Sequence, residues 1–279
     1  MTLVLALVLG TAVLHATWNA LAKSVGDRWV ASALIGVVNG IAGLGCLLVF
    51  GPPAPSAWPF LVASAGLQAA YLVTLTTAYE HGDLSRLYPI MRGTAPLLVT
   101  VVSVLVLGES LGAASWLGLT ILVGGIVLLA FGRGVPRFGA GLGYALLTGV
   151  IIAGYTLADG VGVRASDNPL GYIGWMFALQ GPVLIGVCWW RGGSDFVGRV
   201  RRQAGRGLLG GVLSVITYGI VVWAQSRAPL AVVSGLRETS VVWAALIGRI
   251  FLGERLAARE AVAIGLACCG AVVLQLSVT

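Results

Sequence analysis

Thr11, His15, Asn19 and Lys23 recur at intervals of four along an otherwise apolar stretch, with Trp18 beside them. On a helix that spacing sets all four on one face. Such a stripe must face protein or water, because hydrocarbon satisfies none of its hydrogen bonds. His15 has the chemistry of a proton carrier, although a hydrogen-bonded structural histidine is the simpler account. Arg92 and Arg237 also lie inside apolar runs. A guanidinium there needs a partner, a wet cavity or a path to the interface, and its fork suits a carboxylate. Tyr71, Tyr79, Tyr155, Trp175, Tyr218 and Gln225 add rings and an amide to the runs. Each ring also has a plain packing role open to it. Together these residues describe a lining for a small amphiphilic or zwitterionic solute. A sugar phosphate, which wants several converging cations, fits less well.

The elements that carry these residues are membrane spans. Hydrophobic residues make up 58% of the chain and charged ones 10%, with a mean hydropathy of +0.97. A soluble domain of this size needs a far more polar surface. The net charge of +7 comes from arginines in short loops, which argues for a topology signal over a nucleic-acid surface. Cys46, Cys188, Cys268 and Cys269 sit in apolar runs without a CxxC pair and read as buried side chains. The apolar amino terminus has no basic leader region, so it reads as a retained span. Runs of the length needed to cross the bilayer fall at 2–23, 30–50, 57–80, 84–107, 111–131, 140–163, 168–190, 206–227, 229–252 and 256–276.

The ten runs form two sets of five. RGTAPLLVTVVSVLVLGESL, Arg92 to Leu111, and RETSVVWAALIGRIFLGERL, Arg237 to Leu256, superpose under a shift of 145 positions, which also sets Gly125 on Gly270 and Leu129 on Leu274. An odd number of spans per half makes the second half enter from the opposite side. The expected fold is therefore an all-α integral membrane protein of ten transmembrane helices in two inverted five-helix repeats, residues 1–131 and 140–279. Lys23, Arg28, Arg86, Arg133, Arg137, Arg191, Arg199, Arg201, Arg202, Arg206, Arg255 and Arg259 fall on one side, against Arg164 and Arg227 on the other. The crowded side is expected to be cytoplasmic and both termini outside.

The doubled L-G-E-x-L turn between the fourth and fifth spans of each half resembles the EamA-type transporters of the drug/metabolite transporter superfamily, over essentially the whole chain. That resemblance implies an inner-membrane carrier without a cofactor, an exporter of small metabolites such as neutral and aromatic amino acids. Drugs or lipid-linked sugars as cargo, or uptake in place of export, are the alternatives. The expected partners are a small solute and the bilayer, not nucleic acid, and a monomer suffices. No Walker motif is present, nor HExxH, paired intramembrane carboxylates or a Ser/His constellation, so neither ATP coupling nor catalysis is expected. Gly108-Glu109 and Gly253-Glu254 read as surface turns, each glycine left-handed and each glutamate at the positive end of the following helix. Glu238 beside Arg237 need not pair with it, because neighbours on a helix point apart. Glu80, Asp159 and Glu238 are the carboxylates within or close to spans.

Overall fold

The computed structural model of the chain describes residues 1–81, 84–131, 139–193, 195–243, 246 and 258–277. Every regular element among them is helical. In chain order these are α1 (Thr2–Ser24), α2 (Arg28–Phe50), a short 3₁₀ turn (Pro55–Ala57), α3 (Trp58–Glu80), α4 (Leu84–Leu105) and α5 (Ala113–Phe131). There follow α6 (Ala140–Arg164), α7 (Pro169–Gly192), α8 (Phe196–Arg202), α9 (Ala204–Gln225), α10 (Leu230–Arg237) and α11 (Ala258–Leu276). Seven of them, α1, α2, α3, α6, α7, α9 and α11, are long and apolar enough to cross a membrane. In α4 and α5 the apolar stretches are shorter, Ile90–Leu105 and Ala113–Leu128. The run expected over 229–252 starts as α10, which stops after eight residues at Arg237; after a turn at 238–239 the described residues 240–243 and 246 are helical again. Arg133, Arg137, Arg249, Gly253, Glu254 and Arg255 lie outside the described residues. The helix α8 was not among the expected elements, because seven residues with Arg199, Arg201 and Arg202 among them make no span.

Local chemistry sets the ends. The Asp27 carboxylate accepts from the Trp29 and Val30 amides and caps α2, whose end is marked by Gly51 at φ 69. Asn168 caps α7 at the Gly171 amide, ahead of Pro169, and its own amide donates to the Phe50 carbonyl. Gly108 has φ 70, the left-handed glycine expected after α4. Glu109 does more than its place in the sequence suggests. Besides preceding α5, it accepts through its carboxylate from the Leu230 amide at 2.9 and 3.0 Å, so it caps α10, 121 residues away.

The chain packs as two units, each drawing on both halves of the sequence: residues 1–12, 70–157 and 227–279, and residues 13–69 and 158–226. The first unit centres on an antiparallel crossing of α5 and α11. A Cβ on Gly125 would come within 2.8 Å of the Ala263 carbonyl and 2.7 Å of the Ala267 amide. A Cβ on Gly270 would come within 2.8 Å of the Gly118 carbonyl and press on the Leu122 amide. Gly118, Leu122 and Gly125 are matched to Ala263, Ala267 and Gly270 by the 145-residue shift, so the same contact is made twice. Such crossings need small residues, because in lipid it is close packing that joins helices.

The second unit is built on α2 and α7 in the same way. A Cβ on Gly36 would stand 3.0 Å from the Gly181 carbonyl, and one on Gly181 would stand 2.7 Å from the Gly36 carbonyl. These two glycines are also 145 positions apart. Gly207 and Gly211 of α9 lie against Leu34 and Val38 of α2. Gly36 and Gly40, four residues apart on α2, both lie at the α2–α7 crossing, whereas a Cβ on Gly143 of α6 would meet nothing within 4 Å. Away from the crossing, α2 exposes Ile41, Leu44 and Leu48, the last at 89%. Apolar side chains outside and glycine inside are what lipid as solvent requires.

Candidate functional site

In the first unit an ion cluster forms around Glu238. Helix α4 supplies Arg92, α10 ends on Arg237, and α6 supplies Thr156. The tight turn after α10 is made by Glu238 N–H to Gly235 O (3.0 Å), Thr239 N–H to Leu236 O (3.1 Å) and Val241 N–H to Glu238 O (3.1 Å). These are three-residue bonds, not the four-residue bonds of an α-helix. At this break Glu238 meets both arginines, with Arg92 Nε 2.7 Å from Oε2 and Arg237 Nε 3.6 Å from Oε1. Arg237 and Glu238, which as helix neighbours need not pair, do approach each other here, because α10 ends at this point. Arg92 also donates from Nη2 to Ser240 Oγ at 2.9 Å, and Arg237 from Nη2 to Thr156 Oγ1 at 3.5 Å. All three charged side chains are buried, Glu238 completely. Arg237 has no hydrogen bond or ion pair shorter than 3.5 Å among the described residues, and its Nε, like that of Arg92, makes no hydrogen bond among them. Ser234, one turn back on α10, buries a hydroxyl oxygen with no partner among them.

In the same unit Tyr71 and Tyr155 meet edge to face, ring centres 5.8 Å apart. Tyr79, two turns beyond Tyr71 on α3, is half-buried.

The other predicted residues fall in the second unit. Trp18 donates from Nε1 to His15 Nδ1 at 3.3 Å, and Asn19 donates from Nδ2 to the His15 carbonyl at 2.7 Å. The stripe on α1 therefore holds itself in place, with His15 as its acceptor. Trp175 stacks edge to face on Trp58 at 4.7 Å and buries an indole N–H with no partner among the described residues. Tyr218 donates to Asp159 Oδ2 at 2.5 Å and Tyr172 donates to Oδ1 at 3.1 Å. Gln225 is buried and takes part through its backbone, whose carbonyl accepts from Arg164 Nε at 2.9 Å.

Sequence reasoning passed over Tyr172, Ser234 and Ser240, and did not put Thr156, Asp159 or Glu238 among the site residues, although Tyr155 and Asp159 lie four apart and Thr156 roughly matches Asn19 in the other half. For the two carboxylates a signal existed. A carboxylate in an apolar run requires donors or cations around it, and both have them.

Comparison with known proteins bears on what these clusters serve. The family profile described as "EamA-like transporter family" matches residues 2–131 and again residues 139–276. A solved structure, described only as the crystal structure of a protein, is similar with a TM-score of 0.74 and 21% identity over 98% of each chain. At that identity the likeness shows the fold. No curated protein matches the chain.

Proposed function

The chain belongs to the EamA-like transporter family, and from that premise we propose that it exports small metabolites, neutral and aromatic amino acids foremost, by alternating access. The family is one of membrane transporters in the drug/metabolite superfamily, not of enzymes. One observation carries the amino-acid reading, the unequal setting of Arg92 and Arg237. Glu238 holds Arg92 at 2.7 Å, whereas among the described residues no polar group holds Arg237 closer than 3.5 Å. A buried guanidinium with donors to spare is a carboxylate anchor, and the unpartnered Ser234 hydroxyl lies on the same face of α10. Tyr155 adjoins Thr156 on α6 and stacks with Tyr71, which adds ring surface for an aromatic solute. Within the first unit Tyr79 and Arg92 are further proposed solute contacts, and within the second His15, Trp18, Asn19, Trp175, Tyr218 and Gln225 are the proposed ones.

In this reading ten spans form two inverted repeats, residues 1–131 and 140–279, in the inner membrane, with the basic loops cytoplasmic and both termini outside. The support is the α5–α11 and α2–α7 contacts, each of which maps onto itself under the 145-residue shift. That is the behaviour of an isologous contact about a two-fold axis.

The test is efflux from proteoliposomes preloaded with a labelled neutral amino acid, with and without a pH gradient. Protein-dependent efflux is expected, weakened in Trp18→Ala and Tyr79→Ala and lowered roughly tenfold or more in Arg237→Gln, which removes a charged hydrogen-bond donor. The pH arm reports whether protons are coupled. Absence of efflux for every amino acid, in either direction, sinks the amino-acid reading and moves the cargo to drugs or lipid-linked sugars.

A further inference from the structure

The connection from α7 to α9 carries more positive charge than its own carboxylates absorb. Arg199 pairs with Asp27 at 3.0 Å and Arg202 with Asp195 at 2.8 Å. Asp195 is the only acidic residue between 191 and 206. Arg201 and Arg206 are exposed and have neither ion pair nor hydrogen bond among the described residues. Arg191, also exposed, lies with its guanidinium carbon 4.8 Å from the centre of the Trp190 ring.

The apolar side of the same connection is equally specific. Trp189 and Trp190 end α7 at 62% and 75% exposure. Phe196 is buried, lies against Gly192 and meets the Trp189 ring at 6.3 Å, which ties α8 to the end of α7. Exposed tryptophan suits the headgroup layer, where its apolar ring and its N–H each find their medium. A guanidinium stacked on such a ring is held at the depth of the phosphates, and guanidinium is the preferred fork for phosphate.

We propose that residues 189–193 and 195–206 form a docking surface for anionic phospholipid headgroups, with Arg191, Arg201 and Arg206 at the phosphates and Trp189 and Trp190 in the layer beneath. The proposal stands whatever the solute carried. Loop arginines that served topology alone would need neither the stacked tryptophan nor the short helix that presents them.

The purified full-length protein in neutral detergent provides the test, its unfolding midpoint followed as phosphatidylglycerol, phosphatidylcholine or glycerol 3-phosphate is added. Phosphatidylglycerol is expected to raise the midpoint, and the other two to leave it unchanged. Arg201→Gln/Arg206→Gln is expected to need roughly tenfold more phosphatidylglycerol for half the shift, and added salt to weaken the effect in the natural protein. Both arginines are exposed and unpaired, so the variant keeps the fold. Retention of phosphatidylglycerol in native mass spectrometry, strong in the natural protein and weak in the variant, is a second readout. The proposal is overturned by an equal shift with phosphatidylcholine, by glycerol 3-phosphate reproducing the shift, by no shift at all, or by a variant indistinguishable from the natural protein.

Discussion

Arg92-Gly93-Thr94 and Arg237-Glu238-Thr239 occupy equivalent places in the two copies of one motif, yet the backbone treats them differently. In the first copy α4 runs on to Leu105, and the Thr94 hydroxyl donates to the Ile90 carbonyl four residues back. In the second copy α10 stops at Arg237, and the Thr239 hydroxyl donates to Leu236 only three residues back. The residue between differs, glycine in one copy and glutamate in the other. One carboxylate then serves two equivalent arginines, closely for Arg92 and loosely for Arg237. A duplicated helix pair has thus kept both cations and placed a single anion off centre. The proposed anchoring of a solute carboxylate by Arg237 rests on that inequality.

The comparison breaks most sharply at Glu238. Glu238→Gln leaves two buried guanidiniums facing an amide, and removal of one member of a buried ionic cluster costs about 3–5 kcal/mol. Thermal or denaturant unfolding in detergent should show a loss of that order. Moving the carboxylate to the equivalent position, as Gly93→Glu with Glu238→Gly, should recover about half of it if the two places are related by a two-fold axis. A Cβ at Gly93 would meet only Ile126 Cγ2, at 3.4 Å. A transplant no more stable than Glu238→Gln alone would show that the copies are no longer interchangeable there.

Glycine contacts give the next effect. Ala at Gly125 or at Gly270 pushes a methyl group into the facing backbone at less than 3 Å, at a cost of about 1–3 kcal/mol. Equivalence requires the two losses to agree, and likewise those of Gly36→Ala and Gly181→Ala. Gly40→Ala and Gly124→Ala, where nothing lies within 4 Å, serve as near-neutral controls in the same unfolding assay. A large loss at one member of a pair and none at the other would remove the symmetric contact from the argument for inverted repeats.

Much of this architecture was legible in the residues. The helical membrane class followed from hydropathy, the doubling from the 145-residue shift, and the left-handed turn from Gly108. The equivalence of Gly36 and Gly181 was not legible, because one matched glycine among 41 carries no signal until the helices are seen to cross there. The grouping into two units was hidden for a related reason. It divides α1, α3 and α6 part-way along, whereas hydropathy registers each span whole. In the candidate site, the face shared by His15 and Asn19 was read correctly, but their bonding to each other was not. Asp159 illustrates the harder limit. Its donors Tyr172 and Tyr218 lie 13 and 59 residues away, separations at which no helical periodicity links one side chain to another.

The smallest predicted effect separates local from distant capping. Asp27 caps the helix that follows it, within three residues, as a sequence pattern would suggest. Glu109 caps α10, which belongs to the other copy of the motif. The residue before α10 is Pro229, with no side chain able to accept a bond, so the Leu230 amide depends on a carboxylate brought from elsewhere. Glu109→Gln keeps an acceptor but removes the charge that favours the positive end of α10, a change of about 1 kcal/mol. Hydrogen exchange should therefore quicken roughly fivefold at the first amides of α10, while those of α5 hold steady. Quickening at 113–116 in place of 230–233 would return Glu109 to its own helix pair and remove one of the bonds that join the two copies of the motif.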